Sequence, residues 1–225
     1  MIGSMSGLGV NGPFDERLRR ALSAPLPNWR ELYDGFRPRD LETGEGRARV
    51  PGEDARRAAV LVPILRSPEG ARVVYTLRTD GLRDHAGQVS FPGGSVDPRD
   101  ASLLETALRE AEEEVHLRRD LIEVVGELED MYVPPSRFLV KPFVALLAPE
   151  AELVLAPDEV EAIFSVPLEE LMSPDSLRME VWEREGRRVE VPIFAVGGHE
   201  VWGATAAMTA NLLARLGWDT RAVLR

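Results

Sequence analysis

Apolar positions along the chain change period as they go, and the change outlines the fold. The runs AAVLVPIL (58–65) and ARVVYTLR (71–78) are apolar or β-branched almost throughout, and the intervening RSPEG holds a proline and a glycine, so they predict a β-hairpin. GQVSFPGG (87–94) adds a short strand and a glycine turn. Leu104, Leu108, Ala111 and Val115 then recur at i, i+4, i+7 and i+11, a narrow apolar stripe that predicts a helix over 101–115, with Asp100 as its N-cap and an end near His116. Further on, LIEVVGELEDMYV and FLVKPFVALLA are strand candidates, and PDEVEAIFSVPLEELM has a helical period around one proline. VEVPIFAVGG reads as a late strand and VWGATAAMTANLLARLGW as a closing helix, in which Trp202, Met208 and Leu212 are expected to pack inward.

The chain before these runs reads differently. FDERLRRALSA (14–24) is a short amphipathic pattern, and residues 25–54 are rich in proline, glycine and charge, as in an irregular connector. The expected division is therefore an N-terminal helix and irregular extension over 1–54 and one domain over 55–225. Strands on both sides of a helix, with a second helix at the end, predict an α/β sandwich with a mixed sheet.

Composition narrows the chemistry. With 225 residues and 44% hydrophobic content the chain can bury one substantial core. No run approaches the roughly eighteen apolar residues of a membrane helix, and the first residues show neither a basic n-region nor an apolar h-region. A soluble, cytoplasmic protein with no membrane partner is expected. There is no cysteine and there are only three histidines, so carboxylates are the main candidate metal ligands and a bound metal would be hard, such as magnesium or manganese. A net charge of −11 argues against nucleic-acid binding, because the summed field repels phosphate.

The most unusual stretch is ALREAEEEVHL (107–117). On a helix Glu110, Glu113 and Glu114 share a patch, whereas Glu112 falls on the other side of the apolar stripe. Like charges at this spacing repel, and the helix dipole disfavours anions in the last turn, each effect costing roughly a few tenths of a kcal/mol. A solvated helix face is the ordinary explanation of such a run. A divalent cation is the other, since it would turn the repulsion into coordination.

The surrounding residues resemble the signature box of the Nudix hydrolases. Gly94 is followed by five residues and Asp100, and later by Arg109, Glu110, Ala111, Glu112, Glu113, Glu114, Val115, His116 and Leu117. Three departures stand out: Asp100 in place of glutamate, one residue inserted before Arg109, and His116 where the family has a glycine that ends the helix in a left-handed conformation. Some local strain is expected at His116. Upstream, Arg78, Arg83, Gly87, Phe91, Pro92, Gly93 and Gly94 match in order the additional motif of the coenzyme A pyrophosphatase subgroup.

The resemblance implies a Nudix-type α/β/α sandwich with a mixed β-sheet. It implies Mg2+ or Mn2+ held by Glu110, Glu113, Glu114 and the main-chain carbonyl of Gly93, with Arg109 orienting Glu113. Glu113 is the first choice as general base and Glu159 the second, although an acid such as Glu159 is more often just an exposed helix acid. Arg78, Arg83 and Gly94 would meet the substrate, the arginines through phosphate; surface arginines beside a turn are the plain alternative. His85 and His199 are open between phosphate contact and a structural hydrogen bond. The implied reaction is hydrolysis of coenzyme A or its derivatives to 3',5'-ADP and 4'-phosphopantetheine products. An ADP-ribose or dinucleotide pyrophosphatase, and a catalytically silent nucleotide sensor on the same fold, are the competing readings. A homodimer is left open.

Overall fold

A computed structural model of the chain describes residues 12–44, 51–52, 54–79, 87–184 and 186–220. In chain order its elements are helix α1 (Pro13–Ser23), helix α2 (Trp29–Gly35), and strands β1 (Arg39–Asp40), β2 (Arg56–Ser67), β3 (Gly70–Arg78), β4 (Val89–Ser90) and β5 (Gly93–Ser95). Helix α3 (Leu103–Val115) and a single 3-10 turn lead to β6 (Ile122–Glu127), β7 (Met131–Val133), β8 (Phe138–Leu147) and β9 (Val160–Pro167). The one-turn helix α4 (Leu168–Leu171), strands β10 (Leu177–Arg184), β11 (Arg187–Val196) and β12 (His199–Trp202), and helix α5 (Gly203–Arg215) complete it.

The predicted hairpin forms, with Ser67 opposite Gly70 at its turn, and β2 becomes the spine of an eight-stranded sheet among the described residues. On its other edge β2 runs parallel to β8 from Arg56↔Phe138 to Ile64↔Leu146, while every other pairing in the sheet is antiparallel, so the sheet is mixed. Both faces of β2 and β8 are apolar because both are covered. On one face Ala107, Ala111 and Val115 of α3 pack against Ala59, Leu61, Ala145 and Leu147. On the other, α1, α2 and α5 bury Leu18, Leu32, Tyr33 and Leu212 with Val62, Ile64 and Tyr75. This is the expected α/β/α layering, and each fully buried leucine or isoleucine in it stabilises by roughly 2 kcal/mol. No helix among the described residues is long and apolar enough to cross a membrane.

Several details depart from expectation. The buried face of α3 is carried by Ala107, Ala111, Glu114 and Val115, with Leu104 and Leu108 only half-buried. The two alanines let the helix approach the sheet closely, so the small side chains rather than the large ones mark the contact, and Glu114 is drawn under the helix. Ser102, not Asp100, caps α3, its Oγ accepting the Glu105 N–H at 3.2 Å. The segment 160–167, expected to be helical, is strand β9: its Ile163, Phe164 and Val166 pair with β3 from Arg72↔Pro167 onward, and only four residues after it turn helical. β-branched and aromatic side chains next to an open sheet edge outweigh the local helical period.

The expected irregular connector contains α2 and β1. Strand β1 joins a sheet that is antiparallel and four-stranded among the described residues, with β11, β10 and β12, of which only the β11 portion was anticipated. Residues 12–44 are fastened to the rest by buried charge. Arg66 donates to Asp15 Oδ2 at 2.8 Å and to the Leu147 carbonyl, and Arg215 donates to the carbonyls of Ala21, Leu22 and Ala24 as well as to Glu129 Oε1 at 2.6 Å.

Candidate active site

Strand β5 lies across β2, with Gly93 opposite Val60 and Gly94 opposite Ala59. A Cβ at Gly93 would fall 2.5 Å from the Ala59 carbonyl oxygen and 2.6 Å from Val60 Cα, so only glycine lets the two main chains meet so closely. A Cβ at Gly94 would fall 2.5 Å from Glu110 Oε1. The Glu110 carboxylate is thus seated against bare main chain.

One turn on, Glu114 is the most enclosed acid of the helix, its side chain 3% exposed. Its Oε2 accepts the Gly93 N–H at 3.2 Å, and its Oε1 faces Arg78 Nη1 at 3.4 Å. Both contacts are long for a buried carboxylate. Burial pushes its pKa up to about 7; Arg78 and the Gly93 N–H pull it down, while the charges of Glu110 and Glu159 push it further up. Glu110 is also raised, first by burial, with Arg109 opposing and Glu113 and Glu159 reinforcing.

Arg109 organises the outer side of the site. Its Nε and Nη2 hold Asp100 Oδ1 and Oδ2, each at 3.0 Å, and its Nη1 donates to Glu110 Oε1 at 2.8 Å and to Glu113 Oε2 at 2.9 Å. The Asp100 carboxyl is held far below the ordinary carboxylate range, chiefly by Arg109, and the Arg109 guanidinium is raised in turn. An open cleft of about 390 Å³ adjoins it, bordered by Arg99, Glu105, Glu113 and Arg119.

The structure therefore brings together most of the expected residues, in a different grouping. Glu110 and Glu114 converge on the glycine strand, but Glu113 is turned outward onto Arg109 and is 56% exposed. Among the described residues no three acidic or histidine side chains are already gathered around one point. Like-charge repulsion and the pull of Arg109 account for the splay. Glu159 sits in the turn before β9 rather than on a helix, exposed, yet close enough for its charge to act on both Glu110 and Glu114. Arg78 ends β3 at a register shift between Leu77 and Arg78. Arg83 and His85 lie outside the described residues.

His116 adopts the left-handed conformation expected of the missing glycine, at φ 49 and ψ 31, and its Nδ1 lies 2.9 Å from the Val154 carbonyl oxygen. His199 stacks on Phe164 with ring centroids 4.0 Å apart. The clamp of Asp100 on Arg109 was missed by sequence reasoning. The two residues are nine positions apart, across a loop and a helix start that carry no period.

A mixed sheet between two helical layers, with a helix that turns two of its carboxylates onto a glycine strand, defines an α/β/α sandwich with a pair of enclosed acids on one face. The chain belongs to the Nudix family: the model of the NUDIX domain matches residues 55–186. Among its relatives, the uncharacterized Nudix hydrolase NudL of Photorhabdus laumondii is 41% identical over 160 residues, covering 71% of this chain and 84% of its own. The protein of the same name from Cronobacter sakazakii is 39% identical over 166 residues, covering 72% of this chain and 83% of its own. A solved NUDIX hydrolase from Alicyclobacillus acidocaldarius, 19% identical, aligns with 72% of this chain and 92% of its own at a TM-score of 0.49.

Proposed function

We propose that the chain is a divalent-metal-dependent pyrophosphohydrolase that cleaves coenzyme A and its derivatives to 3',5'-ADP and 4'-phosphopantetheine products. The observation that carries this reading is a meeting of two sequence motifs. Arg78 and Gly93, from the upstream motif resembling the coenzyme A subgroup, contact Glu114, from the box on α3.

The residues present fit a hard cation. Glu114 is an oxygen donor held in a buried place with two long contacts among the described residues, and Glu110 stands beside it on a main chain stripped of side chains. Glu110, Glu114 and the Gly93 carbonyl would hold Mg2+ or Mn2+, with Glu113 joining them on release from Arg109. When bound, the ion neutralises the pyrophosphate and makes water easier to deprotonate. The chain's own groups do the rest. Glu113, exposed and bonded to Arg109 in the metal-free protein, would take a proton from the attacking water, with Glu159, whose charge reaches Glu110 and Glu114, as the alternative base. Arg78, and Arg83 from the upstream motif, would hold phosphate oxygens and so let an acidic protein accept a polyanion.

The test is to incubate the purified protein with Mg2+ or Mn2+ and, in turn, coenzyme A, ADP-ribose, NADH and dinucleoside polyphosphates, separating the products by chromatography. Release of 3',5'-ADP from coenzyme A, faster than turnover of the other substrates, is expected. ADP-ribose cleavage well above that of coenzyme A would overturn the substrate, and binding without turnover of any of them would leave a sensor.

A further inference from the structure

Arg78 is fixed in place by its main chain and loosely engaged by its side chain. Its N–H donates to the Gln88 carbonyl at 3.1 Å, its carbonyl accepts from Gly87 at 3.2 Å, and it pairs with Val160 across β9. Its guanidinium reaches Glu114 through Nη1 alone, at 3.4 Å, without the paired short bonds of a bidentate clamp. Its Nε is buried and has no partner among the described residues. The side chain is 22% exposed, so part of it remains open to a ligand from solvent. A permanent positive charge with donors to spare therefore stands beside an acid placed to receive a cation.

We propose that Arg78 opposes cation binding at Glu114 until a pyrophosphate-bearing ligand draws its guanidinium off, so that metal and substrate bind cooperatively. This rests on the metal reading of the site given above. In the free protein the arginine supplies part of the charge balance that Glu114 needs, and any cation arriving there meets a like charge. A polyphosphate offers Arg78 shorter, better-matched acceptors and leaves the carboxylate to the metal. By linkage the factor by which the ligand tightens the metal is the factor by which the metal tightens the ligand. The free enzyme then stays largely unloaded at cation concentrations that saturate the complex.

Mn2+ binding, followed by electron paramagnetic resonance of the free ion, tests this without turnover. Wild type, Arg78→Gln, Arg78→Met and Arg78→Lys are compared with and without α,β-methylene-ADP, a diphosphate that cannot be hydrolysed at the bridge, after circular dichroism has shown each to be folded. Without the analogue, both neutral variants are expected to bind Mn2+ on the order of tenfold more tightly than wild type, and the lysine variant to stay near wild type. The analogue is expected to tighten Mn2+ in wild type by a larger factor than in the neutral variants. A purely structural arginine would leave Mn2+ affinity unchanged or lower it on removal. Neutral variants that bind Mn2+ no better than wild type, or an analogue effect equal in all four proteins, would overturn the inference while leaving the metal site standing. No Mn2+ binding by any of them, wild type included, would overturn both.

Discussion

Arg109 grips Asp100 with two parallel bonds, both 3.0 Å long, and the same guanidinium reaches Glu110 and Glu113. Asp100 thereby sets the direction of the arginine on which two of the box acids depend. Asp100→Asn should cost about 2 kcal/mol of stability, because a bond between charges is replaced by one to a neutral amide, and should lower kcat more than it raises KM. Urea unfolding checks the first and steady-state kinetics the second. An unchanged kcat would mean that Arg109 holds its direction without the aspartate.

The two glycines of β5 should fail in different ways. At Gly93 a methyl group meets the main chain of Ala59 and Val60, which cannot step aside, so Gly93→Ala should destabilise the sheet by roughly 3 kcal/mol. At Gly94 it meets only the movable end of Glu110. Gly94→Ala should keep the unfolding midpoint within a few degrees and lose about a hundredfold in kcat/KM, since displaced catalytic groups cost that much. Equal loss of stability in both variants would contradict this contrast.

Glu114 gives the metal-free protein a distinctive pH dependence. Burial lifts its pKa from 4.5 in the unfolded chain to about 7 in the fold, so the folded state holds this proton where the unfolded state has released it. Its contribution is fully favourable below about pH 4.5 and is lost as pH rises through about 7, a change of roughly 3 kcal/mol. In chelator, Glu114→Gln should therefore be the more stable protein at pH 8 and lose its advantage towards pH 4. Thermal unfolding across this range checks it, and a variant less stable than wild type at pH 8 would refute it. With α,β-methylene-ADP present, added Mg2+ should stabilise wild type at pH 8 and leave the variant almost unmoved.

His116 carries left-handed strain that a glycine would not. His116→Gly should be more stable than His116→Ala by about 1 kcal/mol, both having lost the contact to the Val154 carbonyl. Comparing the two variants isolates the backbone term. Equal unfolding midpoints would mean that the turn relaxes in the alanine protein.

The hairpin, α3 and α5 were legible because each satisfies its own period and is closed by a turn or a cap, and with them the placing of Glu110, Glu114 and Arg109 on one helix. What escaped was non-local. Strand β9 carries a helical period and becomes a strand only because β3 offers an edge. Strand β10 has Met179 and Val181 exposed, so its alternation gives no clear inside, although an alternating run on either side of Gly186 was a usable hairpin signal. The inward rotation of Glu114 follows from Ala107 and Ala111, which apolar patterns weigh too lightly.

The bonds from Arg215 to the last carbonyls of α1 join positions up to 194 apart. Synthesis therefore delivers α1 and its leucines long before the arginine that closes over them. Until α5 has been made, the apolar face of α2 around Leu32 lacks the helix that packs against it, and the early part of the fold waits on a late one.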